Sequence, residues 1–145
     1  MKKLLLIGLL TLLAVMISAQ TGLFELTYGV PAEESIAILE VQGFELVDSN
    51  GDSAMLQDTT NEYVDHIQLI FREGFLVAWY IAYLPQEEED IEYIVVEALE
   101  LWHGYDYTWD EDMELYVWEL EDSRKIEAIW DWNYEFFWVG YLSGD

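Results

Sequence analysis

The sequence contains no cysteine and very few positively charged residues. Without cysteine the chain has no disulfide framework, no thiol nucleophile and no zinc–thiolate site. Five Lys and Arg residues stand against 30 Asp and Glu residues, which gives a formal net charge of −25 at pH 7. Nucleic-acid binding is excluded, because it rests on Lys and Arg side chains that displace counterions from phosphates. Positively charged proteins, in contrast, are attracted.

The composition also excludes a disordered acidic tail. Hydrophobic residues make up 53% of the chain and aromatic residues 16%, whereas disordered acidic segments have few of either. A chain of 145 residues is long enough for one domain with one hydrophobic core. We therefore expect one folded domain whose acidic surface keeps it soluble.

The N-terminal residues have the features of a secretory signal peptide. Lys2 and Lys3 form a positive n-region, residues 4–17 form an apolar run, and Ala19 supplies a small residue before a cleavage point. The run is shorter than the ~20 residues of a membrane-spanning helix, which disfavours an uncleaved signal anchor, and no second run of spanning length follows. We predict a signal peptide over residues 1–19 and one domain over residues 20–145. The protein is then periplasmic or secreted, with no membrane span after cleavage.

Two segments follow the sequence rules for helices. Proline and acidic residues open the first and Gly43 ends it, so we predict a helix over residues 31–42. The second opens at Pro85 and carries apolar residues at helical spacing up to Gly104. His103 in its last turn is expected to interact with the helix dipole. The apolar stripe, which we expect to lie in the core, consists of Ile91, Ile94, Val95, Ala98, Leu101 and Trp102.

Alternating apolar and polar residues, separated by turn residues, predict antiparallel strands. Asn50-Gly51 is the strongest hairpin signal, and Glu73-Gly74 marks a second turn. Residues 75–84 are apolar throughout, which indicates a central strand buried on both faces. The predicted strands comprise residues 23–28, 44–48, 54–57, 64–71, 75–84, 105–109, 113–120, 125–132 and 137–142.

The order of these elements suggests an internal duplication. Each predicted helix is followed by a glycine and an aromatic strand, and each half closes on an aromatic strand that ends in leucine. We predict an α+β fold built as a tandem repeat, with units over about residues 23–84 and 85–142. Each unit has one helix followed by an antiparallel meander of three or four strands, and the helices pack on one sheet face. The strands form either one long meander or two meanders joined edge to edge.

The repeated features are the openings at residues 31–34 (PAEE) and 85–88 (PQEE) and the strand runs after Gly43 and Gly104. In this tandem arrangement the chain resembles the β-lactamase inhibitor protein family, and each unit resembles the small outer-membrane assembly lipoprotein family. It departs from both. Each unit here has one helix where the inhibitor family has two, and no cysteine is present for that family's disulfides or for a lipid anchor. The resemblance implies a concave, aromatic-rich sheet that binds a protein partner.

Aromatic residues concentrate in the second half of the chain, where residues 102–141 hold six of the seven tryptophans. Tyr116 and Trp118 alternate with Leu115 and Val117, so large side chains occupy both faces of that strand. One face, with Trp118, is either covered by the other repeat or by a homodimer partner, or open as an aromatic recognition surface rimmed by carboxylates. The predicted binding residues are Trp109, Tyr116, Trp118, Trp130, Trp132, Trp138, Asp106, Asp110, Glu127 and Asp131.

No residue pattern indicates catalysis or a metal site. The chain lacks a Gly-x-Ser-x-Gly nucleophile elbow, and neither His66 nor His103 has a serine in a recognisable setting. Asp48, Asn50 and Asp52 have the spacing of the start of a calcium-binding loop, but the glycine and glutamate of its later positions are missing. We therefore predict no catalytic residue, no cofactor and no metal.

Two functions fit these features. The first is a non-catalytic, exported binding protein, inhibitor-like toward a cationic protein, in which aromatic side chains anchor the partner and carboxylates steer it. The alternative is a carbohydrate-binding module, in which Trp and Tyr faces stack on sugar rings and carboxylates accept hydroxyl hydrogen bonds. Only the first should depend strongly on salt.

Overall fold

The computed structural model of this protein describes residues 21–60 and 62–144. The predicted signal peptide, residues 1–19, lies outside the described residues. Besides two short 3₁₀ turns, the regular structure of the described residues consists of α1 (Ala32–Val41), α2 (Ile91–His103), β1 (Glu45–Ser49), β2 (Ser53–Gln57), β3 (Val64–Arg72), β4 (Phe75–Tyr83), β5 (Tyr107–Asp110), β6 (Leu115–Glu119), β7 (Lys125–Asp131) and β8 (Phe136–Leu142).

The two helices lie where the sequence predicts them, except that the second begins at Ile91 rather than at Pro85. α1 starts directly after Pro31, whose fixed φ suits a helix start. α2 starts after Asp90, whose side chain accepts a hydrogen bond from the N–H of Tyr93 at 3.2 Å. It ends at Gly104, which has a φ of 87° and donates its N–H to the carbonyl of Glu100. Both predicted helices are thus confirmed.

The buried stripe of α2 differs from the predicted one. Leu101 is 78% exposed and Trp102 is 50% exposed, so the prediction that Trp102 is a core residue is wrong. Each residue turns a helix by about 100°, and the core follows the row of residues four apart that starts at Ile91. The buried residues of α2 are Ile91, Val95, Val96 and Leu99.

Residues 23–28 do not form the predicted strand. Leu23–Glu25 is a 3₁₀ turn instead. The N–H of Gly22 donates to the carbonyl of Leu26 at 2.8 Å, so the segment satisfies backbone groups within itself rather than along a strand edge. Its apolar side chains still enter the core; the buried ones are Leu23, Leu26 and Tyr28.

All eight strands belong to one antiparallel sheet, in the order β1-β2-β3-β4-β8-β7-β6-β5. Strands β1 to β4 and β5 to β8 each form a meander, and the last strands of the two meanders pair with each other from Trp79 and Tyr141 to Tyr83 and Phe137. The predicted α+β class and antiparallel pairing are confirmed. Of the two predicted arrangements, the sheet has the meanders joined edge to edge.

One face of the sheet is closed. A row of four paired residues, one from each of four adjacent strands, is at most 1% exposed. The row consists of Trp79 on β4, Tyr141 on β8, Ile126 on β7 and Trp118 on β6. Side chains of both helices belong to the same hydrophobic core as these residues. We call this side of the sheet the core face.

The opposite side, which we call the open face, is less covered. Four residues paired across adjacent strands lie on this face, and all except the glycine are at least partly exposed. They are Gln68, Tyr80, Gly140 and Glu127. The prediction that the β4 strand is buried on both faces is therefore wrong at Tyr80. Ala82, also on this face, is buried because it is small beside larger neighbours.

The stacked rings of Trp79 and Tyr141 connect the two meanders on the core face, with centroids 4.4 Å apart and planes 11° apart. The Tyr141 hydroxyl accepts the N–H of Leu23 and lies 2.9 Å from Nε2 of His103. Burial lowers the pKa of His103 to about 4. His103 is therefore neutral at pH 7, and its expected charge interaction with the helix dipole is corrected.

Gly22 packs on this ring pair without room for a side chain, because a Cβ there would overlap the Tyr141 ring. We predict that Gly22→Ala lowers the free energy of unfolding by about 1–3 kcal/mol through overpacking. Gly51→Ala is the matched control, since a Cβ at that glycine has no neighbour within 4 Å. Urea unfolding followed by tryptophan fluorescence measures both variants. Equal stability of the two would contradict the packing of the N-terminal segment on these rings.

The neutral state of His103 predicts acid sensitivity. Its pKa falls from an ordinary value of 6.5 to about 4, so the unfolded chain takes up this proton first as the pH falls. The contribution of neutral His103 to the free energy of unfolding is complete above the pKa of the unfolded chain. It is lost as the pH falls from about 6.5 to about 4. In this range the equilibrium constant for unfolding rises by up to about tenfold per pH unit.

His103→Gln keeps a hydrogen-bonding side chain at this position but does not titrate. We predict that wild type is more stable than this variant at neutral pH and that the difference in the free energy of unfolding shrinks on acidification. Urea unfolding of both proteins across this pH range measures the difference. A difference that does not change with pH would contradict a neutral His103.

Candidate functional site

The open face carries a groove whose walls come from strands alone. It spans the junction between the two meanders and has a volume of about 340 Å³. We call it the open-face groove. It is lined by Gln68, Tyr80, Glu127, Ile129, Asp131, Trp138, Gly140 and Leu142.

A glycine lies in the floor of the open-face groove. Gly140 is between Tyr80 on β4 and Glu127 on β7, and a Cβ on this glycine would lie 3.1 Å from the Tyr80 ring. A larger side chain at this position would fill part of the groove, so the glycine keeps it open.

Three rings form one wall of the groove region. The ring centroids of His66 and Phe136 lie 5.2 Å and 5.8 Å from that of Trp138, and both contacts are close to perpendicular. Such edge-to-face contacts are the favoured geometry for aromatic pairs. Nδ1 of His66 lies 2.7 Å from a carboxylate oxygen of Asp65, which orients the imidazole. Trp138 is thus held in place while its side chain stays partly exposed.

Two carboxylates border the open-face groove. Glu127 forms an ion pair with Lys125 on the same strand. One oxygen of Asp131 accepts the backbone N–H of Asn133 at 3.0 Å. Each carboxylate has about four acceptor positions, so both keep capacity for a ligand. With the amide of Gln68, they place polar groups around an apolar floor.

A second cavity, of about 310 Å³, lies on the core face where α2 begins. Glu92 in the first turn of α2 accepts the hydroxyl of Tyr116 at 2.8 Å and the indole N–H of Trp130 at 2.7 Å, one on each carboxylate oxygen. The ring of Trp109 packs against Tyr116 at 4.7 Å, and Trp132 stacks on Trp130 at 5.2 Å. We call this cavity, with these five residues as its walls, the Glu92 pocket.

The protonation state of Tyr116 is fixed by its surroundings. Desolvation and the bond to Glu92 raise the pKa of Tyr116 to about 12. The hydroxyl therefore stays protonated at neutral pH and donates to Glu92. Met113 and Glu114, in the turn between β5 and β6, complete the rim of the cavity. With the buried ring of Phe137, the Glu92 pocket thus combines five aromatic side chains with the hydrogen-bonded carboxylate of Glu92 and the exposed one of Glu114.

The predicted binding residues do not share one surface. Alternation along one strand identifies its two faces, but the register between strands decides which faces coincide. Four of the predicted residues converge in the Glu92 pocket, namely Trp109, Tyr116, Trp130 and Trp132. Three line the open-face groove, namely Glu127, Asp131 and Trp138.

The other three predicted residues contribute to neither cavity. Trp118 is 1% exposed and donates its indole N–H to the carbonyl of Gly104 at 3.0 Å. The expected exposure of Trp118 is therefore wrong, because its register neighbours lie on the core face. Asp106 is exposed outside both cavities. Asp110 is exposed in the turn after β5, where it accepts the N–H of Met113.

Sequence reasoning missed Glu92, Tyr80 and Gln68. The helix dipole alone explains acidic residues in the first turn of α2, which hides the role of Glu92. A signal is nevertheless present, since Glu92 lies four residues before Val96 and therefore on the side of the helix that meets the core. Tyr80 and Gln68 are hidden because the run of apolar residues in β4 gives no sign that one of its faces is open.

In the part of the chain that the structure describes, no group of three or more His, Asp or Glu side chains is arranged to hold a metal ion. Neither helix in these ranges is long and apolar enough to cross a membrane.

Comparison with known proteins adds no relative to this description: no family model, no curated protein and no solved structure matches the chain. The resemblance to the β-lactamase inhibitor and assembly lipoprotein families therefore stays a prediction.

Proposed function

We propose that this protein is a non-catalytic binding protein that holds a basic protein partner on the open face of its sheet. The observation that carries the proposal is the open-face groove, a concave and partly aromatic surface to which neither helix contributes a lining residue. Aromatic side chains that are fixed in place but partly exposed are typical anchors at protein interfaces. Trp138 and Tyr80 take this role.

Charge determines the kind of partner. The chain has 30 carboxylates against five basic side chains, and Glu127 and Asp131 bring two of those carboxylates to the groove. Such a surface attracts a positively charged protein, repels an acidic one, and accelerates the encounter at low salt. Binding here would cover the part of the partner's surface that contacts the groove. The protein would therefore act like an inhibitor of that surface.

The proposal includes the tandem origin of the sheet and the packing of both helices on the core face. The strand order supports duplication, because each helix precedes one four-stranded meander and the two meanders meet at equivalent last strands. The contacts of α2 support the packing, since its Glu92 and His103 bind Tyr116, Trp130 and Tyr141 of the core face.

Export is also part of the proposal. Its support is the N-terminal sequence, with two lysines before an apolar run and a small residue at the cleavage point. The partner is then expected in the periplasm or outside the cell, where a secreted binding protein meets it.

A carbohydrate-binding module is the alternative function. Trp138 and Tyr80 flank a floor made by Gly140, and Gln68 and Asp131 supply hydrogen-bonding groups at the same groove. Rings beside such groups suit sugar rings and their hydroxyls. Because sugars are neutral, their affinity should change little with salt.

Affinity capture with the immobilised protein tests the proposal. Exported proteins are applied to wild type, Trp138→Ala and the matched control Trp102→Ala, which removes an exposed tryptophan far from the groove. We predict that wild type and the control retain a basic protein that high salt releases, and that Trp138→Ala loses it by at least about tenfold, as expected for an aromatic hot spot.

Several outcomes would contradict this function. Equal capture by Trp138→Ala and Trp102→Ala would show that the partner does not bind at the open face. Salt-independent binding of a glycan that requires Trp138 would favour the carbohydrate module. A homodimer in which Trp138→Ala restores the monomer, measured by sedimentation, would identify a second copy of the chain as the occupant. The free energy of unfolding of each variant separates lost binding from lost folding.

A further inference from the structure

We propose that the Glu92 pocket binds an organic cation, an alkylammonium group that enters between its two aromatic pairs and lies against the Glu92 carboxylate. The proposal does not rest on the proposed function of the open face, because the five walls of the pocket, Glu92 of α2 and four rings from β5, β6, β7 and the turn after β7, are not residues of the open-face groove.

The walls of the pocket are two aromatic pairs tied to one carboxylate. Tyr116 belongs to one pair and Trp130 to the other, and each donates to a different oxygen of Glu92. Their outer partners, Trp109 and Trp132, are 45% and 72% exposed. The inner rings are therefore fixed by hydrogen bonds, while the outer rings remain accessible to a ligand.

This arrangement favours a cation. The faces of tryptophan and tyrosine rings carry the negative part of the ring quadrupole and attract ammonium groups within about 6 Å, most strongly when the cation is desolvated. Glu92 adds a full negative charge at the base of the cavity, and both of its observed hydrogen-bond donors are neutral. Each of its oxygens retains a further acceptor position.

The described basic side chains lie elsewhere. Lys125 pairs with Glu127 on the open face, and Arg124 lies near Asp122 and over the ring of Tyr28. Arg72 is the register partner of Phe75, at the end of β4 remote from the Glu92 pocket. None of the three brings its positive charge to the pocket, so a ligand has to supply the charge that the site attracts.

The shape of the region suits an alkyl chain with a charged head. At about 310 Å³, the cavity lies at the small end of ligand pockets. A second depression of about 320 Å³ shares Glu92 and Tyr116 with it and continues along α2 past Glu97 and Glu100. These carboxylates guide a positive group toward the aromatic pairs.

A metal ion fits the same residues poorly. Hard cations require six or more oxygen ligands in most protein sites, whereas the Glu92 pocket is walled mainly by carbon rings. Among the described residues no cluster of carboxylates and imidazoles is arranged for a metal. The chemistry of the walls therefore selects an organic cation.

Choline and 3,3-dimethyl-1-butanol form a matched pair of probes, since they share a shape and differ in one charge. We expect choline to give a saturable change in tryptophan fluorescence that weakens as salt rises, and the neutral isostere to give none. Trp132→Ala should weaken choline binding by about 3- to 30-fold, the range of one cation–π contact. Trp102→Ala, which removes another exposed tryptophan outside the pocket, should leave it unchanged.

Glu92→Gln removes the charge while keeping an acceptor oxygen, and should also weaken choline binding. Because this change disturbs two hydrogen bonds, the thermal midpoint of the variant is measured beside its affinity, and the exposed Trp132 gives the decisive variant if Glu92→Gln unfolds. Trp138→Ala on the open face should leave choline binding unchanged, so this proposal and the proposed function fail separately.

Nα-acetyl-lysine amide distinguishes the two sources of the alkylammonium group. Binding of this probe with an affinity similar to that of choline assigns the pocket to lysine side chains of a protein, and binding of choline alone assigns it to free quaternary ammonium compounds. The proposal is overturned if neither cation gives saturable binding, if the neutral isostere binds as well as choline, or if Trp132→Ala and Trp102→Ala behave alike.

Discussion

The rest of the fold depends on one stacked pair of rings, Trp79 and Tyr141. The pair crosses the junction between β4 and β8, where the two meanders become one sheet. The hydroxyl of Tyr141 then binds the N-terminal segment at Leu23 and the end of α2 at His103. Four parts of the chain that are distant in sequence thus meet at one aromatic contact. Burial of His103 beside this pair lowers its pKa and keeps its ring neutral.

The two cavities form by different means. On the core face the large rings are covered, except where the first turn of α2 leaves Glu92 among five aromatic side chains. On the open face the junction between the meanders carries Gly140, which has no side chain to fill the space beside Tyr80. The sheet carries rings on both faces, but only the core face is covered, and the open face has a groove. Because carboxylates surround both cavities, each of them favours cationic ligands.

Local sequence signals predicted the elements better than the surfaces. Pro31 and Gly43 located α1, apolar residues at helical spacing and Gly104 located α2, and turn residues such as Asn50-Gly51 located strands. These signals act over a few residues. Pro85 misplaced the start of α2, which Asp90 caps. The faces depend on register, which couples residues far apart in the chain. Trp118 and Trp138 look equivalent in their strands, yet pairing places the first beside Ile126 in the core and the second beside Ile129 on the open face. The role of Glu92 was likewise hidden, since it arises only when Tyr116 and Trp130 converge on it.

The most direct measurement is an NMR titration of the protein, labelled with ¹⁵N at its tryptophan indoles, with the basic protein recovered by affinity capture. Trp79 and Trp118 are buried on the core face, whereas Trp138 lies in the open-face groove. We predict that the indole N–H signal of Trp138 shifts or broadens on binding, while those of Trp79 and Trp118 stay unchanged. An unchanged Trp138 signal at saturation would contradict the assignment of the open face as the binding surface.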